Sequence, residues 1–152
     1  MIRVVQHVSF TVGDMERSLM FYRDGLGFEV VNDREVEGSF PGTLLRLKGA
    51  HLRIVHLKGH GQGLELMQFY APRGETAPPS PCDVGCSHLC YVVDDINPVV
   101  EKLKKLGAQF LSEPLKVEGG PNAGGWIVYF LDPNGITMEL VQLGPKAVKN
   151  MS

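Results

Sequence analysis

The sequence predicts an α+β protein built from two copies of a β-α-β-β-β module. Residues 7–14 match residues 88–95 at an offset of 81, pairing His with His and Asp with Asp. Residues 64–68 match residues 138–142 at an offset of 74, pairing Glu with Glu. Each copy also has the same order of extended runs around one helical pattern, so the chain contains an internal repeat rather than one longer unit.

The first copy begins with a Val-rich and aromatic run that is typical of a strand. Asp14 then provides a helix N-cap, and Met15, Leu19 and Tyr22 recur at helical spacing. A glycine cluster ends this helix. The predicted elements are a strand at 4–12, a helix up to 22, and strands at 28–36, 52–57 and 64–70. Residues 43–47 fit either a short helical turn or a strand, and we favour the turn.

The second copy repeats this order. Asp95 caps a helix that extends to Leu106 and is followed by Gly107. The predicted strands are 87–93, 109–112, 126–131 and 136–143. The last two strands of each copy form a hairpin, through residues 59–63 in the first copy and residues 132–135, with their Asn-Gly step, in the second.

The repeat sets the domain organisation. We expect a first module at 1–70, a stiff proline-rich connector at 71–85, a second module at 86–143 and a polar, frayed tail at 144–152. The two modules form one integrated domain in this prediction.

Composition excludes several classes of protein. The 152 residues carry a net charge of −2, which argues against a nucleic-acid partner. No apolar run approaches the length of a membrane span, and the first residues do not have the pattern of a signal peptide, so we expect a cytoplasmic protein. The three cysteines have no zinc or disulfide spacing and are expected to be reduced thiols, with Cys90 facing a core.

Four residues at matched positions of the repeat are candidate metal ligands: His7, Glu65, His88 and Glu139. Each glutamate lies between aliphatic residues on a strand and therefore points to the opposite face from them. If the two halves pack about a pseudo-two-fold axis, the four side chains converge. Two imidazoles and two carboxylates suit a divalent ion such as Zn, Ni, Co, Mn or Fe(II).

The other three histidines are predicted not to be ligands. His51 falls in a loop and His60 in a turn. His56 stands opposite Phe130 in the ungapped match.

The His-containing first strands, the paired Glu-Leu strands and the run from Tyr129 to Leu140, YFLDPNGITMEL, resemble the vicinal oxygen chelate superfamily. The resemblance covers about residues 3–143. It implies paired modules that form a U-shaped mixed sheet around a metal ion, with ligands at His7, Glu65, His88 and Glu139. Glyoxalase I and methylmalonyl-CoA epimerase have the most similar ligand pattern, and related proteins are often homodimers.

The resemblance implies a lyase or isomerase that removes a proton next to a carbonyl and stabilises the resulting enediolate. A ligand glutamate would be the base, with Glu139 preferred over Glu65. The substrate would be a small molecule such as a thioester or a glutathione adduct, held by a cationic side chain. The available arginines are Arg23, Arg34, Arg46, Arg53 and Arg73.

Two other functions fit the same family. An extradiol dioxygenase with Fe(II) would have His where this chain has a Glu, which argues against ring cleavage. A metal-free, drug-binding resistance protein would not have the full ligand set. The sequence therefore favours a metal-dependent lyase or isomerase over both alternatives.

Overall fold

A computed structural model describes residues 1–75 and 80–148. The chain divides into two compact units, residues 1–76 and 77–152. Each unit contains its own mixed sheet and at least one helix, which confirms the predicted α+β class. Within the described ranges, no helix combines the length and hydrophobicity that a bilayer crossing requires.

The first module has four strands in the order β1-β4-β3-β2. Its elements are β1 (Val8–Thr11), α1 (Met15–Leu19), β2 (Glu29–Glu37), α2 (Ser39–Leu45), β3 (His51–Gly59) and β4 (Gln62–Ala71). Strands β1 and β4 are parallel, and the other pairs are antiparallel. All the strands predicted for this half are present, and β1 is shorter than predicted.

The predicted cap of the first helix is confirmed. The Asp14 carboxylate accepts a hydrogen bond of 3.0 Å from the backbone N–H of Arg17. Helix α1 continues as a π-helical turn, Met20–Gly25, and Gly27 follows with φ of +79°. Glycine adopts this left-handed conformation without steric cost, so the chain can reverse into β2.

The hairpin of β3 and β4 turns through only two residues. His60 and Gly61 both have positive φ, +52° and +73°, which is the conformation of a type I′ turn. This tight turn sets the register that places His56 directly across from Glu65.

The segment 43–47, for which a helical turn was favoured over a strand, forms the last turn of helix α2 up to Leu45 and then leaves the helix. The helix begins after Gly38 and ends at Arg46, which has φ of +55°. Its Phe40 and Leu44 are both exposed, so these two apolar side chains do not attach the helix to the core.

The second module has five strands, in the order β5-β9-β8-β6 with β7 also paired to β8. Its elements are β5 (Leu89–Val93), α3 (Ile96–Lys105), β6 (Gln109–Phe110), β7 (Leu115–Lys116), β8 (Trp126–Leu131), β9 (Thr137–Gln142) and α4 (Pro145–Val148). Strand β7 was not predicted. The predicted frayed tail instead contains helix α4 at 145–148, whereas residues 149–152 lie outside the described residues, as do residues 76–79 of the predicted connector.

Both modules fasten the start of their helix to the last strand in the same way. The side-chain oxygen of Gln68 in β4 accepts a 3.0 Å hydrogen bond from the N–H of Met15. The side-chain oxygen of Gln142 in β9 accepts one of the same length from the N–H of Ile96. These two glutamines satisfy backbone donors that a helix N-terminus leaves unpaired, so the repeat extends from the elements to their connections.

The glutamates point away from the helix-packed core, as predicted. Leu64 and Leu66 are fully buried, and so are Met138 and Leu140 in β9. We call the opposite face of each sheet the glutamate face; in the first module it carries Ser9, His56 and Glu65, and in the second Cys90, Tyr129 and Glu139.

The prediction that Cys90 faces a core is wrong. Cys90 is exposed, because its Cα pairs in parallel register with that of Glu139 and it therefore shares the glutamate face. Cys82, Cys86 and Cys90 are all free thiols, as expected.

Candidate functional site

The first module brings two of the predicted ligands together. His7 lies just before β1 and Glu65 lies in β4, and the parallel pairing of these strands puts the two side chains side by side. His7 Nε2 is 3.6 Å from Glu65 Oε1. Glu65 is largely shielded from solvent, with 13% of its side chain exposed, whereas the His7 ring is more open. This separation is longer than a hydrogen bond.

Glu65 also contacts two residues that were not predicted to belong to the site. The hydroxyl of Ser9 donates a 2.8 Å hydrogen bond to Glu65 Oε1. His56 Nε2 lies 3.0 Å from the other oxygen, Oε2. The rings of His7 and His56 meet edge to face, with centroids 5.8 Å apart. Three side chains from two neighbouring strands and the β1 lead-in therefore surround one carboxylate.

The second module brings together the other two predicted ligands. His88 precedes β5 and Glu139 lies in β9, and His88 Nε2 is 3.0 Å from Glu139 Oε2. Glu139 is one of the few buried charged residues among those described, with 8% of the residue exposed. The Tyr129 ring packs edge to face against the His88 ring at a centroid distance of 5.2 Å.

Glu139 is contacted by Cys90 and Tyr129, the counterparts of Ser9 and His56. Partial burial, followed by the charge of Glu139 and a hydrogen bond to it, raises the pKa of the Cys90 thiol to about 11. Burial and the same carboxylate raise the pKa of the Tyr129 hydroxyl. Both groups therefore keep their protons at neutral pH and can donate to Glu139.

The ungapped match aligned His56 with Phe130 one residue out of register, and the prediction that His56 is not a ligand stays a prediction. His56 pairs with Glu65, and Tyr129 pairs with Glu139, so His56 corresponds to Tyr129 and not to Phe130. The second hairpin is one residue longer between the paired positions, and the ungapped comparison could not include that residue. A shift of one residue moves a strand position to the other face.

A signal for His56 was present in the sequence. His56 lies between Val55 and Leu57, which are both buried, in the same way that Glu65 lies between two leucines. The alternation of side chains along a strand therefore places His56 on the glutamate face. The other two histidines lie elsewhere. His60 is in the turn, as predicted, and its Nε2 is 2.7 Å from the carbonyl oxygen of Leu26. The prediction that His51 falls in a loop is wrong, because His51 begins β3, where it pairs with Glu35.

The donor set is suited to a divalent metal ion. Each module presents one imidazole and one carboxylate on its glutamate face, and this mixed nitrogen and oxygen chemistry is typical of Zn, Ni, Co, Mn and Fe(II) sites. Among residues 1–75 and 80–148, no three His, Cys, Asp or Glu side chains already surround a common metal position.

Two of the five candidate arginines are paired with carboxylates. Their hydrogen bonds, of 2.6 to 2.9 Å, join Arg23 to Asp24, and Arg53 to Asp33 and Glu16. An arginine whose guanidinium already binds carboxylates in this way is a poor anchor for a substrate anion.

Arg34 is in a different environment. It lies in β2 with its Cα paired to that of Ile54, which is two residues along β3 from His56. Because alternate residues share a face, Arg34 lies on the glutamate face beside Asn32 and Val36. Its neighbours on this face within the strand pair have no carboxylate, and its side chain is exposed.

Comparison with known proteins gives the same family for nearly the whole chain. Residues 4–140 match the model of the glyoxalase/bleomycin resistance protein/dioxygenase superfamily. The chain is 31% identical to a 2-epi-5-epi-valiolone epimerase from Actinomyces sp. over 144 residues, covering 91% of this chain and 79% of that protein. It is 30% identical over 142 residues to a putative lactoylglutathione lyase from Brassica oleracea var. gemmifera, covering 91% of this chain and 44% of the longer relative.

Comparison with solved structures finds the same fold. The crystal structure of a glyoxalase family protein from Bacillus cereus superposes with a TM-score of 0.82 at 20% identity, covering 95% of this chain and 96% of that one. The family match spans both modules and all four predicted ligands. The chain belongs to the glyoxalase/bleomycin resistance protein/dioxygenase superfamily.

Proposed function

We propose that this protein is a divalent-metal-dependent lyase or isomerase that removes a proton next to a carbonyl group. The observation that carries the proposal is the repeated imidazole–carboxylate pair, His7 with Glu65 and His88 with Glu139, one on the glutamate face of each module. Relatives of the chain include an epimerase and a putative lactoylglutathione lyase, which supports an enzyme of this kind.

His7, Glu65, His88 and Glu139 would hold the ion, with Zn, Ni, Co, Mn and Fe(II) as the candidates. When bound, such an ion supplies Lewis-acid chemistry, which stabilises negative charge on substrate oxygens. The side chains of the site would orient the substrate so that its acidic carbon lies within hydrogen-bonding reach of a carboxylate base.

We propose Glu139 as the base, with Glu65 as the alternative. Both oxygens of Glu65 have a partner in their own module, Ser9 on Oε1 and His56 on Oε2. Cys90 replaces Ser9 beside Glu139, and a thiol is a weaker hydrogen-bond donor than a hydroxyl. Cys90 therefore restrains Glu139 less than Ser9 restrains Glu65, which supports Glu139 as the residue that accepts the proton of a substrate.

The proposed substrate is a small anionic molecule, either a thioester or a glutathione adduct. Arg34 supports an anionic substrate because it is an exposed cation on the glutamate face of the first module. Its neighbours on that face of β2, Asn32 and Val36, are uncharged. A guanidinium binds a carboxylate or a phosphate with paired hydrogen bonds.

The test is solvent deuterium exchange into a panel of hemithioacetals and thioesters, with protein loaded with Ni, Co, Zn or Mn. We expect the parent to exchange the proton next to the carbonyl. Glu139→Gln should lower the exchange rate by at least about 100-fold, the usual contribution of a general base. His51→Gln, a change at a histidine that pairs with Glu35 outside the site, is the control and should exchange as the parent does.

Other outcomes would point to other functions. Oxygen uptake on catechols without proton exchange would indicate a dioxygenase. Tight binding of a drug by protein that binds no metal would indicate a resistance protein. The homodimer and the cytoplasmic location implied by the sequence stay predictions.

A further inference from the structure

The two oxygens of Glu65 have different environments. Oε1 accepts a hydrogen bond from Ser9 and lies 3.6 Å from His7 Nε2. Oε2 lies 3.0 Å from His56 Nε2, within hydrogen-bonding distance. The contact with His56 therefore fixes which oxygen is turned toward His7.

We propose that His56 is a positioning residue that holds Glu65 in the orientation required for metal binding. This inference rests on the proposed function, because it assigns a task at the same site. His56 and Glu65 face each other directly across β3 and β4, so the contact depends on the register set by the two-residue turn at His60 and Gly61. Hydrogen bonds to a ligating carboxylate orient it and support its affinity for the metal.

The second module supports this role. Tyr129, at the position equivalent to His56, lies directly across from Glu139 and packs against the His88 ring, as His56 packs against His7. Each glutamate therefore has a ring-bearing partner from the strand before it. The chemistry of that partner differs between the modules, whereas its position is the same.

His56 contacts two of the proposed ligands, Glu65 and His7, whereas another histidine of the same strand does not. His51, five residues earlier in β3, also pairs with a glutamate, Glu35, but its ring packs against Tyr70 and it contacts none of the proposed ligands. The two histidines lie in the same strand, and each pairs with its own glutamate, Glu35 for His51 and Glu65 for His56. They therefore form a matched pair for an experiment.

The experiment measures Co(II) binding to purified, metal-free protein by visible absorption and by competition with a chelator. We expect His56→Leu to weaken Co(II) binding by 10- to 100-fold, roughly the usual cost of losing a hydrogen-bond partner of a metal ligand. His56→Gln keeps a side-chain N–H and should recover most of the affinity. His51→Leu should bind Co(II) as the parent does, and the melting temperature of metal-free His56→Leu should match that of His51→Leu.

Three results would overturn the inference. His56→Leu could bind Co(II) with the affinity of the parent, or His51→Leu could weaken binding equally, which would indicate a general effect on β3. A changed Co(II) spectrum without rescue by His56→Gln would make His56 a ligand. If His56→Leu does not fold, His56→Asn, whose amide is too short to reach Oε2, replaces it in each comparison. A parent that binds no Co(II) would instead refute the proposed function.

Discussion

Arg53 connects three elements of the first module through one guanidinium. It donates hydrogen bonds of 2.9 and 2.7 Å to Asp33 and one of 2.6 Å to Glu16. The Arg53 guanidinium holds the pKa of the Asp33 carboxyl below its ordinary value of 3.8. Because the folded pKa is lowered, the pair stabilises the protein above the unfolded pKa, and this stability is lost as the pH falls through the folded pKa.

We therefore predict that Arg53→Gln lowers stability at pH 7 and has a smaller effect at acid pH below the lowered pKa of Asp33, where this carboxyl is protonated. Asp33 and Glu16 are well exposed, so solvent screening limits the difference at pH 7 to about 0.5–1 kcal/mol. This corresponds to a decrease of about 1–4 °C in Tm for a chain of this size. Thermal unfolding at pH 7 and at a series of decreasing acid pH values measures it, with Arg34→Gln as the control. A destabilisation that stays equal across the whole series would contradict the prediction.

At the scale of elements, strand β2 carries charged side chains with different surroundings on its two faces. Asp33 points to the face that carries Arg53, and Arg34, the next residue, points to the glutamate face. The strand lies at the edge of its sheet and most of its residues are exposed. Neighbouring charges in one strand thus serve stability on one face and are available to a ligand on the other.

We predict that Arg34→Gln raises the KM for an anionic substrate by about 10-fold or more and leaves kcat nearly unchanged, because it removes binding common to the ground and transition states. The measurement is the exchange assay, run with a glutathione hemithioacetal and with a CoA thioester, which separates a carboxylate from a phosphate as the bound anion. Arg53→Gln, on the other face, is the control. A parent-like KM with both substrates would exclude Arg34 as the anchor.

At the scale of the whole molecule, the repeat makes a prediction about stoichiometry. In the proposed site each module supplies one His and one Glu, which is fewer ligands than metal sites of this type use. We therefore expect one ion per chain, and we expect both double variants, His7→Ala with Glu65→Ala and His88→Ala with Glu139→Ala, to lose it. Elemental analysis of purified protein measures the ratio. Two ions per chain, or one retained by either double variant, would show that the modules bind metal independently.

The repeat also explains how much of the structure the sequence could predict. Period-two alternation around Glu65 and Glu139 was enough to place both glutamates opposite the buried leucines and methionine. Helix caps at Asp14 and Asp95 were readable because a carboxylate before a helical pattern has one common role.

The rest depended on contacts that sequence spacing does not encode. The two-residue strand β7 exists only through its pairing with β8. Cys90 was placed in a core because of its apolar neighbours, whereas the parallel register with β9 decides its face. The same register logic applies to His56, because the number of residues in the second hairpin decides which residue of the second module corresponds to it.

The unequal hairpins have a consequence for how the two halves could diverge. A β-hairpin loop can gain or lose a residue at its tip while the strands below it keep their pairing, so a length change there leaves Glu65 and Glu139 in place. The loop at residues 132–136 is braced by Asp132, which accepts backbone hydrogen bonds from Asn134 and Ile136. Insertion at a loop tip thus allows duplicated halves to differ in length without moving the residues that face each other.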